Sequence, residues 1–335
     1  MFFIEEPESH MHPQMQNVFI RFLTKYYTEK KLQGLITTHS NEIARSVGLN
    51  SLRVIRQTEK SKSELFNLSK FRKSIENKKV KNVDKESEFL LQNFFDWFFE
   101  IGYSELIFAD KVILYEGDTE RLYIRKLLGM TEFASLRDNY IAFIQVGGAY
   151  AHNYLEILTM LKMKSLIITD LDYNKDATTF EIAKNSTSTN ATINHCYRLI
   201  YPEKGAAYLP SIKEIYEMQT EKGTVICNDL ICVAYQDENS TARTLEEAML
   251  NKFLSKNVFD KTKRSEWKSI RKNNNLTFTI PNNRNDETDS EFSIRQIVAA
   301  SSNNKTDFMY SVVLSGNEEK MLPDYIRKGL LWLAK

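Results

Sequence analysis

The chain carries no G-x-x-x-x-G-K-[S/T] loop, so it lacks the usual cradle for the β- and γ-phosphates of a nucleotide. It has no apolar run near the ~20 residues that cross a bilayer, and no basic region precedes an apolar core at its N-terminus. These absences predict no membrane association and a cytoplasmic location. Cysteine is scarce. Cys196, Cys227 and Cys232 form an odd set without C-x-x-C spacing, which reads as buried free thiols rather than a zinc site or a disulfide framework. Neither sign of charge is in excess, with 45 basic and 44 acidic side chains. Uniform attraction to a polyanion is therefore excluded, whereas local basic patches are not.

What the chain does have is apolar strands that end abruptly in carboxylates. Lys111–Glu120 reads KVILYEGDTE and delivers Glu116, a glycine and Glu120; Lys164–Asp172 reads KSLIITDLD and delivers Asp170 and Asp172. Apolar strands of this kind are buried on both faces in parallel sheets, and ligands bind outside their carboxyl ends. Acids gathered there repel one another unless a divalent cation sits between them, which makes a Mg²⁺-type site the leading reading. A two-residue step in extended chain would point Asp170 and Asp172 the same way. The competing reading makes Glu120 and Glu247 ordinary first-turn helix acids, favoured by the helix dipole.

Elsewhere, Met1–Glu6 reads as a strand ending in Glu5 and Glu6, followed by an amphipathic helix bearing Met15, Val18, Phe19, Phe22, Leu23 and Tyr26. Gly34–Ser40 is a second short strand reaching His39, and Ser51–Gln57 is a third. Lys60–Lys85 reads as a charged connector, and the aromatics from Phe89 to Phe99 share a helical face suited to core or dimer packing. From Lys111 strands and helices alternate, as a parallel sheet requires. Asp176–Asn194 and Lys272–Asp289 read as loops, Thr224–Tyr235 as one or two strands, and the end from Glu291 as helical.

The run FFIEEPESHMHPQ followed by LITTHS resembles the second half of an ABC-type ATPase head, from the Walker B strand to the switch histidine. That likeness implies that Glu5 is the Mg²⁺-associated acid, Glu6 the water-activating residue and His39 a neighbour of the γ-phosphate. His10 and His12 take structural roles. Because the Walker A half is missing from the sequence, the chain reads as N-terminally truncated, and ATP is a cofactor only if the missing half is supplied.

FADKVILYEGDTERLYI together with the later D-x-D resembles the Toprim domain of OLD-family (overcoming lysogenization defect) nucleases, Gabija-type nucleases among them. The resemblance implies metal ligation by Glu116, Glu120, Asp170 and Asp172. It also implies a later T-L-E acid at Glu246, with Glu247 as the alternate, and a catalytic Lys305 in its K-x-x-F context. Glu116, Asp170, Asp172 and Lys305 would form the catalytic set, and two Mg²⁺ or Mn²⁺ ions the cofactor.

The expected fold class is α/β: a partial ATPase head (residues 1–60), a helical connector (61–107), a Toprim domain with a Rossmann-like parallel sheet (108–255) and a helical extension (256–335). The expected activity is DNA endonuclease action, in phage defence or DNA metabolism, by a homo-oligomer that in some relatives pairs with a helicase-like partner. Two alternatives stand: a non-catalytic DNA- or partner-binding subunit, and a Toprim topoisomerase or primase. No separate domain presenting a nucleophilic tyrosine is legible for the second.

Overall fold

The computed structural model describes residues 1–70, 103–147, 150–219, 224–237, 241–282 and 289–335. The aromatic face from Phe89 to Phe99 and most of the connector lie outside them. The chain divides into two compact units, one of residues 1–110 with 157–162 and one of residues 111–156 with 163–335.

In the first unit, β1 (Phe2–Glu5) pairs in parallel with β2 (Gly34–Thr37), with Glu5 opposite Thr37. Between them runs α1 (Pro13–Glu29), with proline at its start and the His12 ring accepting from the Gln14 amide at 3.4 Å. One face of α1 buries Ile20 and Leu23, and α2 (Asn41–Val47) buries Ile43 and Ala44. The other face of α1 leaves Met15, Val18, Phe22 and Tyr26 exposed at helical spacing, and Phe3 and Leu35 are exposed on the strands. The charged connector proves in part to be a strand. β3 (Arg53–Glu59) forms an antiparallel hairpin with β4 (Lys62–Asn67), in which Glu64 and Phe66 turn inward and Ser63 and Leu65 outward, a strand period that hydropathy does not show.

The second unit is built on a five-stranded sheet. Its strands are β5 (Lys111–Tyr115), β6 (Ile141–Gln145), β7 (Lys164–Ile168), β8 (Thr224–Asn228) and β9 (Ile231–Ala234), ordered β6-β5-β7-β9-β8. The first four in that order run parallel, and β8 closes one edge antiparallel to β9. β5 and β7 carry Val, Ile and Leu with no exposed side chain, as a sheet covered on both faces demands. Its covering helices include α3 (Asp118–Leu127), which follows β5 directly and packs Tyr123, Ile124 and Leu127 into the core with Ile113 and Leu166; α4 (Leu155–Met160) falls largely in the first unit.

The stretch read as a loop over residues 176–194 instead holds α5 (Phe180–Asn185) and the start of α6 (Ala191–Ile200); α7 (Ile212–Met218) follows. Thr179 and Asn190 each cap the helix after them with a side-chain acceptor, a signal that outweighs the low apolar content. Beyond the sheet come α8 (Leu245–Leu254), β10 (Lys261–Lys263), α9 (Arg264–Asn273), β11 (Glu291–Ser293), α10 (Ile294–Ala300), α11 (Lys305–Leu314) and α12 (Asp324–Ala334). Leu276, Phe278 and Ile280 of the second expected loop are buried, so alternating apolar residues there fill the core without pairing as a strand. Cys196 is disulfide-bonded and Cys232 is a buried free thiol, which corrects the expectation of three free thiols.

α12 lies against β7 and β9, and Gly329 sets how closely it approaches. A Cβ there would stand 2.8 Å from a Leu166 methyl and 3.1 Å from the Ala234 Cβ, both in the core. Gly329→Val should therefore cost about 1–3 kcal/mol by overpacking, read as a lower urea midpoint at unchanged slope.

Candidate functional site

Three neighbouring strands of the second unit, β5, β7 and β9, end within two residues of a polar side chain: Glu116, Asp170 and Gln236 respectively. Parallel pairing puts those ends side by side. One oxygen of Glu116, Oε1, accepts from the Thr169 hydroxyl, from the Asp170 amide at 3.1 Å and from Asn190 Nδ2 at 3.4 Å. Asn190 also donates to Thr169 Oγ1 at 2.7 Å and to the Asp170 carbonyl at 2.8 Å, so the residue that caps α6 also ties the ends of β5 and β7 together. Gln236 donates to Asp170 Oδ1 at 2.8 Å and accepts from the Leu171 amide at 2.7 Å. Its Nε2 also lies 3.3 Å from the buried Tyr325 hydroxyl.

Glu120 sits in the first turn of α3 with Oε2 accepting from the Gly117 amide and the Thr119 hydroxyl, each at 3.0 Å. Burial pushes it up to about 7, with the Glu246 and Glu116 charges adding to the effect. Burial likewise raises Glu116, and it holds Asp170 well above the usual carboxylate range with help from Glu116, Glu120, Glu246 and Asp172. Tyr325 is held neutral at the base of the same cluster by burial and by the Asp170, Glu120 and Glu246 charges. Four predicted acids therefore crowd the same field as Asp170.

Asp172 departs from the expected extended geometry. β7 ends at Ile168, and Asp172 adopts φ +48°, so the D-x-D step is irregular chain beyond the strand rather than part of it. Arg243 holds Asp172 at 3.0 Å and donates through Nε to the Tyr173 carbonyl at 2.7 Å. Burial still raises Asp172, against Arg243 and Lys305.

The neighbouring acids Glu246 and Glu247 have separate surroundings. Glu247 receives Arg295 Nε and Nη2 at 3.1 Å each, and the Arg243 amide at 2.7 Å. Arg295 also reaches the Tyr173 hydroxyl and the Ala177 carbonyl, and packs over the Phe259 ring at 4.5 Å. Glu246 faces the acid cluster instead. Its Oε2 lies 3.2 Å from Lys305 Nζ, and its Oε1 is buried without a hydrogen-bond partner. Burial alone would lower Lys305, but Glu246, Asp170 and Glu120 outweigh it and keep the ammonium charged.

Among the described residues no three His, Cys, Asp or Glu side chains already stand grouped at metal-ligating distances. The donor set nevertheless fits a hard divalent ion. It is made of oxygens, neighbouring acids help to raise Glu116, Glu120 and Asp170, and one buried carboxylate oxygen has no partner. Sequence reasoning missed Asn190, Gln236, Arg243, Arg295 and Tyr325 as parts of the site. Gln236 ends the apolar run ICVAY much as the acids end theirs, and Asn190 stands at a capping position, so both left a legible trace.

In the first unit, Glu6 Oε1 and His39 Nε2 lie 3.3 Å apart, and Glu5 ends β1 opposite Thr37. Glu8 accepts from the Thr38 hydroxyl and the His39 amide, each at 2.7 Å, which fixes the β2 end that carries His39.

Residues 107–172 match a family model described as overcoming lysogenization defect protein-like, TOPRIM domain. Residues 1–44 match an AAA ATPase domain model. The endonuclease GajA of Bacillus cereus strain HuB5-5 is 28% identical over 360 residues, covering 99% of this chain and 48% of that protein. The endonuclease GajA of strain VD045 is 27% identical over 174 residues, covering 51% of this chain and 26% of that protein. The chain thus spans at most about half the length of these curated relatives. A solved structure, the C-terminal region of the Burkholderia pseudomallei OLD protein, aligns at TM-score 0.36 and 18% identity, covering 68% of this chain and 98% of that one. The family-model matches and the near-full-length alignment relate this chain to OLD-type ATPase/Toprim endonucleases.

Two outcomes follow for the metal-free chain. Arg295→Met strands a buried Glu247 and should cost about 3–5 kcal/mol in urea unfolding, whereas Asp170→Asn removes a buried charge among acids and should leave stability equal or higher. Glu120 has its folded-state pKa raised from 4.5 to about 7, so the folded state binds more protons and stability falls as pH rises through that window. The stability advantage of Glu120→Gln over the parent should therefore grow by on the order of 2 kcal/mol between those pH values, and an equal advantage at both ends would contradict it.

Proposed function

We propose that this chain, a relative of the OLD-type Toprim endonucleases, carries a metal-dependent DNA endonuclease centre at the ends of β5 and β7. The observation that carries this reading is the crowding of Glu116, Glu120, Asp170, Asp172 and Glu246, with Glu246 Oε1 buried and unpartnered. Carboxylates arranged this way are costly for a folded protein to keep unless they serve a cation.

Glu116, Glu120, Asp170, Asp172 and Glu246 would hold two Mg²⁺ or Mn²⁺ ions. Bound there, such ions supply a nucleophilic water, neutralise phosphate charge and assist the leaving oxygen. The chain's own groups do the positioning. Asn190 and Thr169 hold Glu116 against Asp170, and Gln236 fixes the direction of the Asp170 carboxylate. Lys305 keeps a full positive charge beside the cluster, suited to stabilising the charge that builds on a phosphate in the transition state.

The endonuclease activity is that of the GajA relatives, and its extension to this chain rests on the matched TOPRIM segment and on these acids. A role in phage defence or DNA metabolism, assembly as a homo-oligomer, a helicase-like partner and a cytoplasmic location belong to the same reading. Among the described residues no helix is long and apolar enough to cross a membrane. Glu5, Glu6 and His39 would take part in ATP handling only with the rest of an ATPase head present.

Plasmid cleavage by the purified chain tests the proposal. Nicking should require Mg²⁺ or Mn²⁺, stop with EDTA, vanish in Asp170→Ala and fall about 10²–10³-fold in Lys305→Ala. A folded chain that binds the metal yet never cleaves would favour the non-catalytic subunit.

A further inference from the structure

Charge in this chain is balanced overall but not locally. Lys261–Lys272 reads KTKRSEWKSIRK, with six basic side chains and one acid, a net +5 within a chain of +1, so the remainder sums to −4. These charges fall on two elements that follow one another directly, β10 and α9. β10 exposes Lys261 and Lys263 on the same face while burying Thr262 between them. α9 turns Arg264, Lys268, Arg271 and Lys272 onto one arc at spacings of four, seven and eight residues. The single acid of the stretch, Glu266, is taken up by Lys256 at 2.9 Å. Asp289 caps the first turn of α9 through the Ser265 amide at 2.9 Å and partly offsets Lys263 and Lys268. Among the described residues, Lys261, Lys263, Lys268 and Lys272 enter no ion pair.

This surface is rigid and fastened to the acid site. Trp267 is fully buried, donates to the Phe292 carbonyl at 2.9 Å and meets Phe278 edge-on at 5.6 Å. β10 pairs with β11, placing Lys261 opposite Ser293. α10 begins at the next residue, and its Arg295 grips Glu247, the neighbour of Glu246 on α8. The basic face is therefore linked to the helix that supplies a carboxylate to the cluster.

We infer that β10 and α9 form a phosphate-tracking surface that holds duplex DNA by its backbone, an inference that rests on the nuclease reading. Acids crowded at a cleavage centre repel a polyanion, so a nuclease needs positive charge beyond that centre to keep its substrate. A ten-residue helix is about 15 Å long, enough to run beside four or five phosphates of one strand at ~3.4 Å axial spacing. Lysines without base-reading partners contribute attraction that is independent of sequence.

The test is duplex binding by the full chain in EDTA, which prevents cleavage. Fluorescence anisotropy on a labelled duplex of about 30 base pairs is read across roughly 50–200 mM salt. The combined variant Lys261→Gln, Lys263→Gln, Lys268→Gln, Lys272→Gln should lose at least about tenfold in affinity, and its log Kd against log salt should be shallower by about 2–4. Its Mn²⁺ affinity should be unchanged. Lys268→Glu alone should weaken binding to DNA of any sequence. An unchanged salt slope in the combined variant overturns the surface and leaves the nuclease reading standing. Absence of duplex binding by the parent at every salt concentration overturns both.

Discussion

Mutual repulsion among carboxylates at the ends of β5 and β7 is the constraint around which the second unit is organised. An α/β sheet naturally gathers strand ends, and here two of them bring acids. Two kinds of partner answer the repulsion. Neutral donors, namely Thr169, Asn190, Gln236 and backbone amides, fix Glu116 and Asp170 without cancelling their charge. Cationic groups, Lys305 and Arg243, lie beside Glu246 and Asp172. The balance keeps the protein folded while leaving a strong field for a cation.

The adjacent pair Glu246 and Glu247 illustrates how helix geometry divides labour. Successive helical residues point about 100° apart, so two neighbouring glutamates do not share a role. Glu247 turns toward Arg295, whose planar fork makes two parallel bonds while its face packs on Phe259. Lysine has neither the fork nor the flat face and does not replace it there. Glu246 turns toward the acids and keeps an oxygen unpartnered.

Much of this arrangement was legible in the sequence, because apolar strands broken by carboxylates carry both the fold and the chemistry in one pattern. The parallel sheet and the helix after Tyr115 follow from it. What was hidden depends on long-range partners. Which of Glu246 and Glu247 turns toward the acids depends on Arg295, 48 residues away from Glu247 and paired with it. Asn190 sat in a polar stretch that reads as a loop because capping residues are themselves polar, and only the apolar face of α6 beyond it reveals a helix. The strand at Lys62–Asn67 was masked by its charges, and the buried Leu276, Phe278 and Ile280 by the asparagines around them. The left-handed backbone at Asp172 lies past the end of β7, which alternation alone does not locate.

The sequence separation of these contacts has a kinetic consequence. Lys111, which begins β5, donates to the Leu333 carbonyl near the end of α12, a separation of 222 residues. Tyr123 of α3 reaches the Glu318 carbonyl across 195. Contacts of such high order form late and slowly, since loop closure must come before any reward. During synthesis, every other described element of the unit leaves the ribosome before α12 can dock on β7 and β9. A nascent chain would thus form the Asp170–Gln236 pair before the Tyr325 hydroxyl of α12 packs against Gln236.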